Sequence, residues 1–174
     1  MPNRVKRQQK CCCGKCHYVQ TCSDCCGCIP KQICVSIVPN GVDCSCADAV
    51  GNPYLMSDIA DYDCYTDSYT GGMRCGDLIF NFTVTIEKDD EGDCILKLTS
   101  TCLADDLTVA MNAPSSNPAD PDGPGCEDFS YTWTGVSHTC GDTDCTSLDI
   151  TVAARDVVVV GTNCEGDCAN CRCV

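Results

Sequence analysis

Leu78-Ile-Phe80-Asn-Phe82-Thr-Val84-Thr-Ile86-Glu-Lys88-Asp-Asp-Glu-Gly-Asp93-Cys94-Ile-Leu96-Lys-Leu98-Thr99 decides the fold class. Leu78, Phe80, Phe82, Val84 and Ile86 share one parity, and Asn81, Thr83, Thr85 and Glu87 share the other, with Ile79 the exception. Successive side chains of an extended chain point to opposite faces, so this alternation predicts a strand half in a core and half in water. The polar run 88–93 makes a turn, with Gly92 able to take positive φ. On the return, Cys94, Leu96, Leu98 and Cys102 fall on one parity, and Lys97, Thr99 and Thr101 on the other. Cys94 and Cys102 would stand about 26 Å apart along an extended segment. A disulfide cannot span that distance, so each must reach another element.

The same alternation recurs on either side. Ile33, Val35 and Ile37 precede a Pro39-Asn-Gly stop, and Leu107, Val109 and Met111 follow the hairpin. Phe129, Tyr131 and Trp133 predict a further strand, as do Leu148, Ile150 and Val152. The aliphatic run 157–160, after Arg155-Asp156, is expected as a separate last and central strand. Residues 40–76 are turn-rich and carry Cys44, Cys46, Cys64 and Cys75, which predicts short strands pinned by sulfur. Residues 112–127 hold Pro, Ser, Asp and Gly and read as a surface loop. No window carries an i, i+3, i+4, i+7 apolar set with caps. The expectation is an all-β, disulfide-stapled antiparallel β-sandwich or jelly roll with cysteine-rich extensions. Its parts are a basic arm (1–10), a cysteine-rich knot (11–28), the sandwich (29–163) and a cysteine-rich tail (164–174).

Sulfur is the second organising principle. Of 174 residues 22 are cysteine, beyond the level that marks a disulfide scaffold. Nine lie in residues 11–34: Cys11, Cys12, Cys13, Cys16, Cys22, Cys25, Cys26, Cys28 and Cys34. Apolar side chains are almost absent before Ile29, so that stretch must be ordered by disulfides or by thiolates on a metal. An even count permits complete pairing. The head cysteines are expected to bridge to the tail's Cys164, Cys168, Cys171 and Cys173, since Cys171 and Cys173 are too close to bridge each other comfortably. Cys140 and Cys145 flank Gly141-Asp-Thr-Asp144, four polar residues between two alternating segments. A hairpin there would face the two sulfurs across an antiparallel pair, which predicts a local bridge. Zinc is the alternative use of Cys13, Cys16, Cys22 and Cys25, two C-x2-C pairs whose thiolates could bite one tetrahedral ion.

Charge is unevenly spread along a chain of net −14. Residues 1–31 carry six basic groups against Asp24, a balance of +5, and the remainder carries five basic against 24 acidic, a balance of −19. A basic arm on an acidic body suits contact with another copy's body or another structural protein; the footprint is weak for nucleic acid. No apolar leader segment follows the basic residues at 1–10, and the longest aliphatic run is far short of a membrane span. The expected location is a virion or the extracellular space, reached without a visible signal peptide, because disulfides persist where the environment oxidises.

Catalysis has little to stand on. Ser137-His138 and Cys16-His17 are sequence neighbours, but a nucleophile and its base need spatial contact and a third orienting group. Calcium is an alternative ligand for Asp120, Asp122, Glu127 and Asp128, or for Asp89, Asp90, Glu91 and Asp93, as hard oxygen donors on loops. Neither set has the spacing of a twelve-residue calcium loop. Asn81-Phe-Thr83 fits a glycan acceptor placed in mid-strand. Enzymatic function, cofactor and membrane association are not expected.

Cys28-Ile-Pro30-Lys-Gln-Ile33-Cys34-Val-Ser-Ile37, Cys75-Gly-Asp77-Leu-Ile-Phe80 and Trp133-Thr-Gly135 resemble the cysteine-rich β-domain proteins found among structural genes of some tailed bacterial viruses. The resemblance covers residues 22–174 and leaves the arm outside. It implies a role in building a particle, with no catalytic residues to carry over. The expected function is therefore a non-enzymatic structural subunit of a virus particle: a capsid decoration, fibre or tail component. The alternatives are a subunit of an extracellular filament or surface layer, and a thiolate metal-binding module.

Overall fold

The structure, a computed structural model, describes residues 8–10, 16–18, 28–41, 44, 46, 54–63, 68–111, 125, 127–141 and 144–159 of the 174. Among these residues there is no helix. Eleven strands are present: β1 (Gln8–Lys10), β2 (Cys16–Tyr18), β3 (Cys28–Asn40), β4 (Met56–Ile59), β5 (Asp61–Asp63), β6 (Ser68–Cys75), β7 (Leu78–Lys88), β8 (Cys94–Thr99), β9 (Leu107–Ala110), β10 (Phe129–Val136) and β11 (Ser147–Val159). One antiparallel sheet runs β10-β11-β3-β4 and the other runs β5-β6-β7-β8-β9 as a meander in chain order. The all-β class read from the alternation holds.

The parity of the opening stretch sets the packing. Leu78, Phe80, Phe82 and Val84 of β7 are buried, and register pairs them with Cys75, Met73, Gly71 and Tyr69 of β6. Across the hairpin, Val84 faces Leu98 and Ile86 faces Leu96, and Leu96 is paired in turn with Val109. The hairpin turn lies where expected: Asp89 N–H donates to Asp93 O at 2.9 Å, and Gly92 has φ 92°. The facing sheet supplies Ile33, Val35 and Ile37, paired with Ala154, Val152 and Ile150. All belong to one core. Each fully buried Leu, Ile, Val or Phe contributes about 1.5–3 kcal/mol relative to exposure, so this two-sided core is the main source of stability.

β11 departs from expectation. The expected strand at 148–152 and the expected separate strand at 157 onward are one strand of 13 residues, central in its sheet. Arg155-Asp156 does not turn the chain. Asp156 takes φ 52°, an excursion its short polar side chain tolerates, while the register with β3 stays unbroken from Ser147↔Asn40 to Val159↔Cys28. β3 likewise begins at Cys28, five residues before the alternation becomes visible. The last three residues of the expected arm, Gln8–Lys10, pair antiparallel with Cys16–Tyr18 instead of running free.

The two long sides of the sandwich differ. On one side the chain crosses between sheets with Ala60 alone separating β4 from β5. There Asp58 Oδ2 of β4 accepts from Gly72 N–H of β6 at 2.9 Å, and the Tyr69 hydroxyl of β6 donates to Pro30 O of β3. The other side lies between edge strands β9 and β10, where Trp133 Nε1 donates to Thr108 O at 3.4 Å. On the outer face of the meander, Lys97 Nζ meets Asp106 at 3.2 Å and Glu87 at 3.4 Å. The hydrogen bond that the lysine donates to Asp106 and the charge of Glu87 raise the lysine pKa above its ordinary value. No helix among the described residues is long and apolar enough to cross a membrane.

Candidate functional site

Three disulfides gather at one end of the sandwich. Cys46, in the β3–β4 connection, bonds to Cys75 at the end of β6, with Cα atoms 5.6 Å apart. Cys44, two residues earlier, bonds to Cys145 in the β10–β11 connection at 4.5 Å. Cys140, in that same connection, bonds to Cys102 between β8 and β9 at 4.8 Å. All three separations lie within the span of a disulfide. The bridges form a belt: from Cys75 on the meander to loop 44–46, on to loop 140–145, and back to the meander at Cys102. Two of the three cross between sheets, so the belt clamps the ends of both.

Backbone contacts tighten it. Thr146 N–H donates to Asn40 O at 2.7 Å and Thr139 N–H to Cys102 O at 2.8 Å. Gly141, beside Cys140, has φ 67°, and a Cβ there would fall on the Asp77 carbonyl of the β6–β7 turn. Only glycine lets these backbones meet that closely. His138 lies inside the belt, with Nδ1 3.0 Å from Cys140 O and Nε2 2.6 Å from Cys145 O.

The expected Cys140–Cys145 bridge is not formed. The ladder between β10 and β11 ends at Val136↔Leu148, so both cysteines sit inside a ten-residue connection, 137–146, and not across a four-residue turn. Neither faces the other from a paired strand, and each sulfur meets a neighbouring loop first. Cys102 bonds to Cys140 and not to Cys94; Cys94 is itself disulfide-bonded. Cys34, placed by the sequence in the head-to-tail network, is a free, half-buried thiol. It sits in mid-sheet, with Ala153 and Ile59 as cross-strand partners and Ser36 Oγ 4.0 Å from its sulfur, so no cysteine stands opposite it.

The rest of the head-to-tail proposal concerns Cys11, Cys12, Cys13, Cys22, Cys25, Cys26, Cys164, Cys168, Cys171 and Cys173, which lie outside the described residues, as do the side chains of Cys16 and Cys28. The zinc alternative lies there too. Of the calcium alternatives, Asp120 and Asp122 are outside. Asp89 Oδ1 accepts from Glu91 N–H at 3.0 Å and Asp93 N–H at 2.8 Å, and Asp128 Oδ1 accepts from Val157 N–H at 3.2 Å. These carboxylates are engaged in shaping backbone. Among the described residues no three His, Cys, Asp or Glu side chains gather where they could hold an ion.

A second feature escaped the sequence. Between β9 and β10 opens a groove of about 510 Å³, lined by Leu103, Leu107, Tyr131, Trp133 and Val136 with Asp105 at its rim. Tyr131 and Trp133 pack edge to face, centroids 5.0 Å apart, and form its aromatic floor. Their alternation marked them as core-facing; that β10 is a sheet edge could not be read from the strand itself. No family model matches the chain, and no curated protein or solved structure matches it significantly.

Proposed function

We propose that the chain is a non-enzymatic structural subunit that assembles with other copies of itself or with other structural proteins of a particle. The observation that carries this reading is the belt: three bridges tie loops from both sheets into one closed set at one end. Such cross-links limit the unfolded ensemble and keep the ends of both sheets from opening under load. His138, the described residue best suited to acid–base work, turns both ring nitrogens onto backbone carbonyls of the belt. The disulfides suit an oxidising, extracellular setting.

A virus particle, with the chain as capsid decoration, fibre or tail component, is the leading setting, on the resemblance of the Cys28, Cys75 and Trp133 motifs. An extracellular filament or surface layer is the second reading, favoured by the eight-residue edge of β10, which no further described strand pairs. Light scattering behind size exclusion, on oxidised protein across a concentration series, is expected to give a species larger than one chain. Antibody labelling is expected to place the protein on purified particles. A monomer at every concentration, unlabelled on particles, would overturn the proposal. Portal and tail genes beside the coding gene support the virus setting; secretion genes support the filament.

A further inference from the structure

The two sheets have four edge strands, and three of them are poor templates for another chain. β4 has four residues including Asp58, β5 has three including Asp61 and Asp63, and β9 has four directly after Asp105 and Asp106. Short length and charge are the usual means of blunting an edge. β10 has eight residues, Phe129–Val136, with no charge and no proline. Its inward side chains Tyr131 and Trp133 floor the groove. The indole is held in place by its hydrogen bond to Thr108 O. An edge that no described strand pairs, beside a preformed apolar groove, is the arrangement that accepts an added strand: backbone pairing gives affinity and the groove reads alternate side chains.

Acid flanks this edge at both ends. Glu127 and Asp128 precede the strand, Asp105 lines the far rim, and among the described residues no lysine or arginine lines the groove. The body beyond residue 31 carries −19, so two bodies repel, and the chain's own complement is its first seven residues, with Arg4, Lys6 and Arg7 around Val5. β3 begins at Cys28, at the end of the sandwich opposite the belt, whereas the groove runs towards Val136 and Ser137 at the belt end. We infer that residues 1–7 of a neighbouring copy add as a strand along β10, with their cations over the Tyr131 and Trp133 rings and beside Asp105. This rests on the assembly reading above and names its contact.

Trp133 is the chain's only tryptophan and reports on the groove directly. The test uses the full chain, a variant lacking residues 1–7, and a synthetic peptide of residues 1–9. The full chain is expected to assemble and the deletion variant not to. Peptide added to the deletion variant is expected to shift Trp133 emission saturably. Thr134→Lys with Asp105→Lys, both exposed positions, is expected to weaken peptide binding at least about tenfold by charge repulsion. If the full chain assembles but the peptide neither binds nor moves Trp133 emission, the arm contact is wrong and the assembly reading stands. Unchanged assembly of the deletion variant, lost on the lysine pair, overturns the arm in favour of β10 pairing with β10 of another copy. Silence of Trp133 until residues 112–126 are also removed overturns it in favour of the chain's own loop. A full chain that remains monomeric overturns the assembly reading itself.

Discussion

Both ring nitrogens of His138 lie against carbonyl oxygens, which accept hydrogen bonds and cannot donate. The ring can only donate to them, through one N–H when neutral and two when protonated, and it stands between Cys140 and Cys145, two residues joined covalently to other loops and not to each other. It holds their separation where a local disulfide was expected to do so. The neighbouring Ser137 gains no activated partner, because the nitrogen that would take its proton already faces the backbone. His138→Ala leaves at least one part-buried carbonyl short of a donor, and the expected loss is about 1–2 kcal/mol. Urea midpoints of the oxidised proteins, converted with a shared slope, measure it. A difference indistinguishable from zero would mean that water replaces the ring at no cost. Gly141 acts by the opposite means, since what matters there is the lack of a side chain against the Asp77 carbonyl. Cys34 is the third residue whose role follows from its neighbours: its sulfur is free because no cysteine lies opposite it on β4 or β11.

The bridges act on elements as a closed set, and this changes what each is worth. Their sequence separations are 101, 29 and 38 residues. Counted singly, the chain-entropy relation ranks Cys44–Cys145 above Cys46–Cys75 by about 1 kcal/mol. With the other two intact, however, Cys44 already connects to Cys145 through Cys46–Cys75, the β7–β8 hairpin and Cys102–Cys140. That path has about 35 residues, close to the alternative path for either other bridge, so each closes a loop of similar size. Replacing each pair by alanine in turn is therefore expected to cost the same, about 3–4 kcal/mol at most, within about 1 kcal/mol. Thermal unfolding of the three double variants tests this, and a ranking that follows 101, 38 and 29 would mean the belt is not closed. At this scale the sequence was legible where period alone decides: β7, β8 and β10 follow from parity, and the hairpin turn from Gly92. It was opaque where partners decide. The connection between β10 and β11 was read as four residues because Cys140 and Cys145 flank a turn-like run, but the register that ends the ladder at Val136↔Leu148 is set by β3 and β11 together. The groove was hidden for the same reason, since an edge is a property of the sheet.

Over the whole molecule, parity governs sulfur as it governs the strands. The chain has 22 cysteines, and with Cys34 unbonded 21 remain, an odd number that intrachain bridges cannot exhaust. A second cysteine must therefore be a thiol, a metal ligand or half of a bridge to another molecule. It is none of Cys44, Cys46, Cys75, Cys94, Cys102, Cys140 and Cys145, which are all disulfide-bonded. That leaves fourteen cysteines, eleven of them in the segments before β3 and after β11 and a twelfth, Cys28, at the first residue of β3. Those segments leave the sandwich side by side, because Cys28 and Val159 are cross-strand partners. They do so at the end opposite the belt, where Cys94 also lies at the start of β8. One end of the sandwich is thus closed by its own sulfur, and the chain enters β3 and leaves β11 at the other. Alkylation under denaturing, non-reducing conditions followed by intact-mass measurement is expected to label Cys34. It is also expected to give either a second label on the monomer or a reducible dimer on a non-reducing gel. Thiolates held by zinc in the head would add labels only after chelation, which separates a metal module from a disulfide knot. A monomer with no label at all would require Cys34 to be bonded, contrary to its place in mid-sheet, and would remove the unpaired sulfur on which a covalent link between copies depends.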